Sequence, residues 1–384
     1  SQEARYVSVF VLFAAASTLF TLRFATRARK RDLTGYVVTT LLMLLSFVGG
    51  VFLVLAQNVF AFCSGRRWPL IRSWLVGQVL LAMLFVPWLV QAYGINLNPW
   101  HKGRERSFSI SALQVGNPRS PQLIQMGYAL FTFGVGFSLG PSMGDLHENQ
   151  SLEPVWKKKY EVGVAVLALG LALLGGLLGI VKTHRRGWLL VLSSLALPVF
   201  SPYALATVSG VVYNVRYASG AFPAYLLLLS AGLLWWFRRP YLGIATLAAV
   251  SGVMVLSLAM NYIDPEYFRD DNRGAARIRR EMRGPDEPLV VGPEDRALRY
   301  YYKGGFERWT KLELFPGSPQ PGQGVALDAG RLWVASTRRW DVEFMSFLGR
   351  MRSCFPVEHD FNLPGFEVLA FRIDKADGPN SCTL

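Results

Sequence analysis

Two short stretches carry residues suited to phosphate chemistry. Glu3 and Arg5 stand just before an apolar run, and Arg216 and Tyr217 stand between two others, in the order Tyr203, Asn214, Arg216, Tyr217. Two guanidinium groups at a membrane surface can hold a lipid phosphate, on which charge develops when the bond to its substituent breaks. A neighbouring carboxylate such as Glu3 can orient Arg5, bind a metal or accept a proton. Each also has a plainer reading: Glu3 and Arg5 as a surface pair at a helix start, Arg216 as an arginine that snorkels to the interface. Asp145, His147 and Glu148 form a third group. They are a candidate site for a divalent cation, with a solvated loop as the alternative. The chain shows no phosphate-cradling glycine loop with lysine, no HExxH, no paired CxxC and no GxSxG. Its four histidines, His101, His147, His184 and His359, are too scattered for a histidine-rich metal centre.

The elements that must position these residues are membrane spans. Of the 384 residues 52% are apolar, and the 17% that are charged fall well below the share of a soluble domain, about 25%. Apolar runs at 6–26, 36–63, 73–92, 161–182, 187–203, 218–237 and 242–261 reach the roughly 20 residues a helix needs to cross a bilayer. Residues 1–263 hold 22 Lys and Arg against 7 Asp and Glu, while 264–384 hold 18 against 19, so the whole net charge of +14 belongs to the apolar part. Such an excess is expected in short loops facing a cytosol and anionic lipid. No basic stripe with interleaved exposed aromatics suggests a nucleic acid.

Orientation follows from four basic clusters: Arg23 to Arg31, Arg66 to Arg72, Lys182 to Arg186, and Arg238 with Arg239. If all four face the cytosol, an even number of crossings separates each pair. The run 36–63 would reach about 42 Å as one helix, against a bilayer core of roughly 30 Å. Gly49 and Gly50 divide it, so a tight hairpin that returns to its starting side is expected. The glycine-rich run 122–140 is then expected not to cross, and Lys157 to Lys159 lies outside against the rule. Ionisable groups near the bilayer are functional candidates by default. The span interiors are nearly free of acids, which counts against an ion-coupled pump.

Beyond residue 263 the pattern changes to helix alternating with short β-type runs. Helices are expected at 270–283, near 296–302 and at 340–352, strands at 288–292, 331–336, 355–361 and 366–373, and a loop at 315–330. The fold class is therefore an α-helical polytopic membrane protein, 1–263, with a small C-terminal extracytoplasmic α/β domain, 264–384. Cys354 and Cys382 fall in that domain, where a disulfide would persist, and two unpaired thiols are the alternative.

Several stretches resemble the bacterial C-type membrane glycosyltransferases similar to glycosyltransferase family 39, the group of protein O-mannosyltransferases and lipid A aminoarabinose transferases. They are SQEARY at 1–6, LAQN at 55–58, PW at 87–88, FSLGPSMGDLH at 137–147, NVRYASGAFPAYLLLLSAGL at 214–233 and DPEYFRDDNRGAARIRREM at 264–282. The resemblance covers almost the whole chain and is most specific at SQEAR and the RY-to-PAYLLLL stretch. It implies an enzyme of the plasma membrane that takes a sugar from a polyprenyl-phosphate donor and passes it to a lipid, glycan or protein acceptor on the exterior face. The roles read from the residues themselves fit that reaction: Arg5, Arg216 and Tyr217 as donor-phosphate residues, Glu3 as a secondary acid, and Asp145 with His147 as a candidate cation site beside the favoured reading of a solvated loop, with no other cofactor. In the family the main base resembles an acidic residue in a first exterior loop upstream of SQEAR, and the chain is expected to begin after that loop. Relatives carry a Thr-His-Tyr type triplet where this chain has Ser46, Phe47 and Val48. A transporter or a non-catalytic membrane scaffold is the alternative class. The first would call for acids or unwound polar segments inside the spans. The second gives no reason for SQEAR and RY to share a face.

Overall fold

A computed structural model describes residues 4–64, 68–93, 124–141, 153–183, 185–209, 213, 215–264, 267, 272–282, 287, 289–291, 301, 307–308, 331–336, 342–363 and 366–372. The helices are α1 (Ala4–Arg27), α2 (Lys30–Ser46), α3 (Val51–Ser64), α4 (Trp68–Tyr93), α5 (Ile124–Val135), α6 (Glu153–Lys157), α7 (Lys159–Thr183), α8 (Arg185–Ser209), α9 (Phe222–Trp236), α10 (Pro240–Ile263), α11 (Asn272–Met282) and α12 (Val342–Cys354). Among the described residues two 3-10 segments, Val48–Gly50 and Val215–Ala221, add to these helices. Among the described residues six stretches are long and apolar enough to cross a membrane: Val7–Arg27, Trp68–Gln91, Lys159–Gly179, Gly187–Val208, Val215–Trp236 and Pro240–Ile263. That is the composition of a multi-pass helical membrane protein. At 12 residues α5 is about 18 Å long, too short to cross as a helix. Pro87 in α4 and Pro198 and Pro202 in α8 stand inside helices, where packed neighbours at membrane depth compensate the lost backbone bond.

The chain forms two compact units. The first comprises 1–136 and 160–256, and the second 137–159 and 257–384. The second unit thus takes in the segment 137–159 as well as the C-terminal domain.

In the first unit, three residues seven apart on α1 record the course of the next two helices. Phe10 packs with Met43 and Leu53. Ser17 Oγ is 2.7 Å from Thr40 Oγ1 and accepts a hydrogen bond of 2.8 Å from Gln57 Nε2. Phe24 clusters with Leu33, Tyr36, Ala61 and Trp74. Residue numbers fall along α2 and rise along α3 as α1 ascends, so α2 runs antiparallel to α1 and α3 runs back beside it. The run divides at Phe47 to Gly50, where the expected glycine pair stands, and Ala61 returns to the level of Leu33. Elsewhere in this unit α7 and α9 touch backbone to backbone. A Cβ on Gly232 would overlap the carbonyl oxygen of Ala172, and Trp236 Nε1 donates to the Leu171 carbonyl at 2.9 Å.

The second unit holds a five-stranded sheet of β1 (Leu289–Val291), β2 (Glu307–Arg308), β3 (Arg331–Ser336), β4 (Val357–Leu363) and β5 (Phe366–Arg372), in the order β2-β1-β3-β5-β4. β1 is parallel to β2 and β3, and β5 is antiparallel to β3 and β4. Ala275 and Ala276 of α11 cover one face with Val291, Trp333, Val368 and Ala370. Phe344, Phe347, Leu348 and Met351 of α12 cover the other with Val290, Val334 and Leu369. Cys354 is disulfide-bonded and Cys63 is a free, exposed thiol, while Cys382 lies outside the described residues. The expected helix at 296–302 is described only at Tyr301, which is helical, and the loop 315–330 lies outside the described residues.

Candidate functional site

The site is built where the hairpin turns. α2 ends at Phe47, whose backbone is extended (φ −159°, ψ 122°), and whose N–H still donates to the Met43 carbonyl at 3.0 Å. The Phe47 carbonyl then accepts from Gly50 N–H at 3.0 Å, closing the turn. Gly50 is buried against Met43 and Phe10, whose side chains lie 3.0 and 3.1 Å from where its Cβ would be. A larger residue would have to displace both. The tight turn leaves Phe47 free to enter the bundle. Its ring meets Phe10 edge-on, with centroids 5.5 Å apart at 89°, and lies parallel to the ring of Tyr217, 6.2 Å away at 6°.

Tyr217 belongs to the 3-10 segment Val215–Ala221, which small buried residues hold close to the bundle: Ala218, Gly220 and Ala221. A Cβ on Gly220 would come within 3.3 Å of Leu53 and 3.5 Å of Pro198, so the segment sits against both α3 and α8. Ser219 Oγ donates to the Arg216 carbonyl at 2.6 Å and stiffens the turn. Arg216 is exposed and Tyr217 half-buried. Nearby, Tyr213 is buried and its ring meets Tyr203 edge-on at 6.1 Å. Among the described residues its hydroxyl has no hydrogen-bond partner, and burial pushes the phenol up to about 12. Tyr213 therefore stays a neutral donor at physiological pH.

The sequence-predicted residues divide as follows. Arg216 and Tyr217 stand together in the segment just described. Arg5 is in the first turn of α1, five residues before Phe10, and its side chain lies outside what is described, as do Glu3 and Asn214 altogether. The ring row Phe10, Phe47, Tyr217 therefore brings the α1 end that carries SQEAR and the segment that carries RY to one end of the first unit. Asp145, His147 and Glu148 lie outside the described residues. Among the described residues no group of three His, Cys, Asp or Glu side chains could hold a metal. In the second unit, the start of the segment that leads to Asp145 is tied down: Tyr267 donates to the Gly140 carbonyl at 2.7 Å, Lys158 Nζ donates to Tyr267 Oη at 2.5 Å, and Ser138 donates to Asn261 at 3.4 Å.

Sequence reasoning missed the polar ladder beneath the site. Besides the Ser17, Thr40 and Gln57 cluster, Asn58 Oδ1 accepts from Trp74 Nε1 at 2.7 Å and Gln78 Nε2 donates to Tyr36 Oη at 2.9 Å. Its sequence signal was three amides, Gln57, Asn58 and Gln78, inside apolar runs. Buried polar groups need partners, and at membrane depth the partners must come from other helices. The ladder joins α1, α2, α3 and α4 at fixed register and so fixes the height of the hairpin tip. None of its members carries a charge, so its chemistry is positional. No family model, curated protein or solved structure matches the chain.

Proposed function

We propose that the chain forms part of a plasma-membrane glycosyltransferase, resembling the C-type family named above, which moves a sugar from a polyprenyl-phosphate donor to a lipid, glycan or protein acceptor. The observation that carries the reading is the contact of Phe47 with both Phe10 and Tyr217. Through Phe47, at the hairpin tip where this chain departs from the family triplet, the helix that follows SQEARY meets the segment that carries RY, which supports a shared site.

In this reading Arg216 and Arg5 hold the donor phosphate, and Tyr217 hydrogen-bonds it with a ring that Phe47 keeps in place. The glycosidic bond to phosphate breaks, its electron pair stays on the phosphate oxygen, and the cations stabilise the charge that develops there. The acceptor hydroxyl oxygen forms the new bond to the sugar and gives its proton to a base. Glu3 is placed as a secondary acid that orients Arg5, and Asp145 with His147 as a candidate site for a divalent cation. In the same reading the basic loops face the cytosol, and the site and residues 264–384 face outward.

The test is transfer of radiolabelled sugar from polyprenyl phosphate by the whole glycosyltransferase of which the chain is proposed to form part, in native membranes, before and after Arg216→Ala. The account expects transfer that Arg216→Ala lowers by 10-fold or more, in the range of a lost charge-assisted phosphate contact, about 1.5–3 kcal/mol. Undiminished transfer in the variant would remove Arg216 from the site.

A further inference from the structure

We infer that α11 is a docking surface for the head groups of anionic phospholipids, held down by charge alone. The helix reads NRGAARIRREM, with Arg273, Arg277, Arg279 and Arg280 against a single acid, Glu281. The domain around it is near neutral, with 18 Lys and Arg against 19 Asp and Glu over 264–384. The excess of cations belongs to the helix itself, since the eight residues before it, DPEYFRDD at 264–271, hold four acids and one arginine.

The described side chains divide between two faces. Gly274, Ala275 and Ala276 are buried, and the two alanines pack on the sheet beside Val368 and Ala370, with Ile278 against the same cluster. Arg277 and Arg280 are exposed, one turn apart. Arg280 Nε makes a long hydrogen bond, 3.3 Å, to the Ala276 carbonyl of its own helix. Among the described residues neither guanidinium forms an ion pair with a carboxylate. Unpaired arginines on a surface are poised for planar, two-point contacts with phosphate.

The tether supplies the partner. α10, one of the six apolar helices, ends at Ile263, and α11 begins at Asn272. Nine residue steps span at most about 32 Å even when fully extended. On that lead Tyr267 is hydrogen-bonded to Gly140 and Lys158 of the same unit. A patch on so short a lead stands within reach of the leaflet into which α10 opens, whose head-group layer is itself about 5–8 Å deep. Since Ala275, Ala276 and Ile278 are already spent on the sheet, the helix keeps only Met282 as an exposed apolar side chain, too little to anchor it by insertion. The attachment is electrostatic, so it rises with anionic lipid and falls with salt. Anionic lipid favours each arginine near its surface by about fivefold in population.

The experiment places the whole chain, with Cys63→Ser and a fluorophore on Met282→Cys, in nanodiscs of neutral lipid or of neutral lipid with about one third phosphatidylglycerol. Nitroxide quenchers sit either on the head groups or deep in the acyl chains. The expected result is head-group quenching at least twofold greater in the anionic discs. It returns to the neutral level near 1 M salt, where the Debye length is about 3 Å, and acyl-chain quenching stays at background. Arg277→Gln with Arg280→Gln should bring quenching to the neutral level, whereas the paired Lys variants retain most of it. Equal quenching in both discs would show that the tether alone sets the distance, and acyl-chain quenching would show insertion. Either result overturns the inference, as does quenching that survives the paired Gln change. The lipid and salt arms use unaltered arginines, so they decide even if a variant misfolds.

Discussion

The rings of Phe47 and Tyr217 lie parallel, 6.2 Å between centroids, although 170 positions separate them in the chain. Phe47 also meets Phe10 edge-on, so one side chain at the tip of a hairpin connects the first helix to the segment that carries Arg216. Ring pairs of this kind contribute about 0.5–1.5 kcal/mol beyond the area they bury. A double-mutant cycle on Phe47→Leu and Tyr217→Leu, followed by unfolding in detergent, should return a coupling of about 1 kcal/mol. Strict additivity of the two changes would mean that the contact positions nothing.

The polar ladder predicts an asymmetry. Gln57 donates to Ser17, and its own carbonyl oxygen is buried with no partner among the described residues. Replacing Gln57 with Leu removes one hydrogen bond and one orphaned oxygen together, so stability should change by less than about 1 kcal/mol. Ser17→Ala keeps both amide groups buried and takes away the acceptor, and should cost about 1–3 kcal/mol. Thermal unfolding of the two variants in the same detergent compares them. If Gln57→Leu proved the more damaging, the ladder would be stronger than its geometry suggests.

Gly232 should tolerate no side chain. A Cβ there meets a backbone carbonyl on α7, which no rotamer change can relieve. Gly232→Leu is expected to destabilise by several kcal/mol or to prevent accumulation in the membrane. Gly252→Ala, where a Cβ meets open space, should leave accumulation unchanged. Equal yields of the two variants in membranes would show that α7 and α9 do not approach as described.

Among the described residues of the C-terminal domain, the exposed pair of Arg331 and Glu358 makes a contribution that depends on pH. Arg331 Nε donates to Glu358 at 2.6 Å, and this bond holds the Glu358 carboxyl below the usual carboxylate range. A carboxyl with a depressed folded value contributes stability that is fully present above its unfolded value, about 4.3, and is lost as pH falls through the folded one. Relative to Glu358→Gln, the native chain should therefore unfold at a higher temperature near neutral pH, with the gap closing below about pH 4. The pair is open to solvent, so the gap should be small and should narrow further in salt. A gap that widened on acidification would have the wrong sign.

How much of this was legible in the sequence depended on how local the signal was. Gly49 and Gly50 marked the turn because a glycine pair inside an apolar run is a local feature. Hydropathy placed the start of the second run at 36, yet α2 begins at Lys30, since apolar composition marks the layer a helix crosses and not where its hydrogen bonds begin. The runs PLVVG and RLWVAS announced strands, but the order β2-β1-β3-β5-β4 depends on pairings between distant segments. Arg216 and Tyr217 were picked out by residue type. Phe47 was noticed only as a departure from a family triplet, because nothing near it in the chain names Phe10 or Tyr217 as its neighbours. The amides of the ladder stayed unread for the same reason: each has its partner on another helix.

The central claim is that Arg216 binds the phosphate of a polyprenyl-linked sugar beside the ring held by Phe47. Binding measures it most directly, because affinity for the donor does not require turnover. Polyprenyl phosphate is titrated into the protein in nanodiscs of neutral lipid, for the native chain, Arg216→Ala and Arg216→Lys. The account predicts saturable binding that Arg216→Ala weakens by 10-fold or more and Arg216→Lys weakens less, as a point charge replaces a planar fork. Equal affinity of all three, or no saturable binding by the native chain, would contradict it.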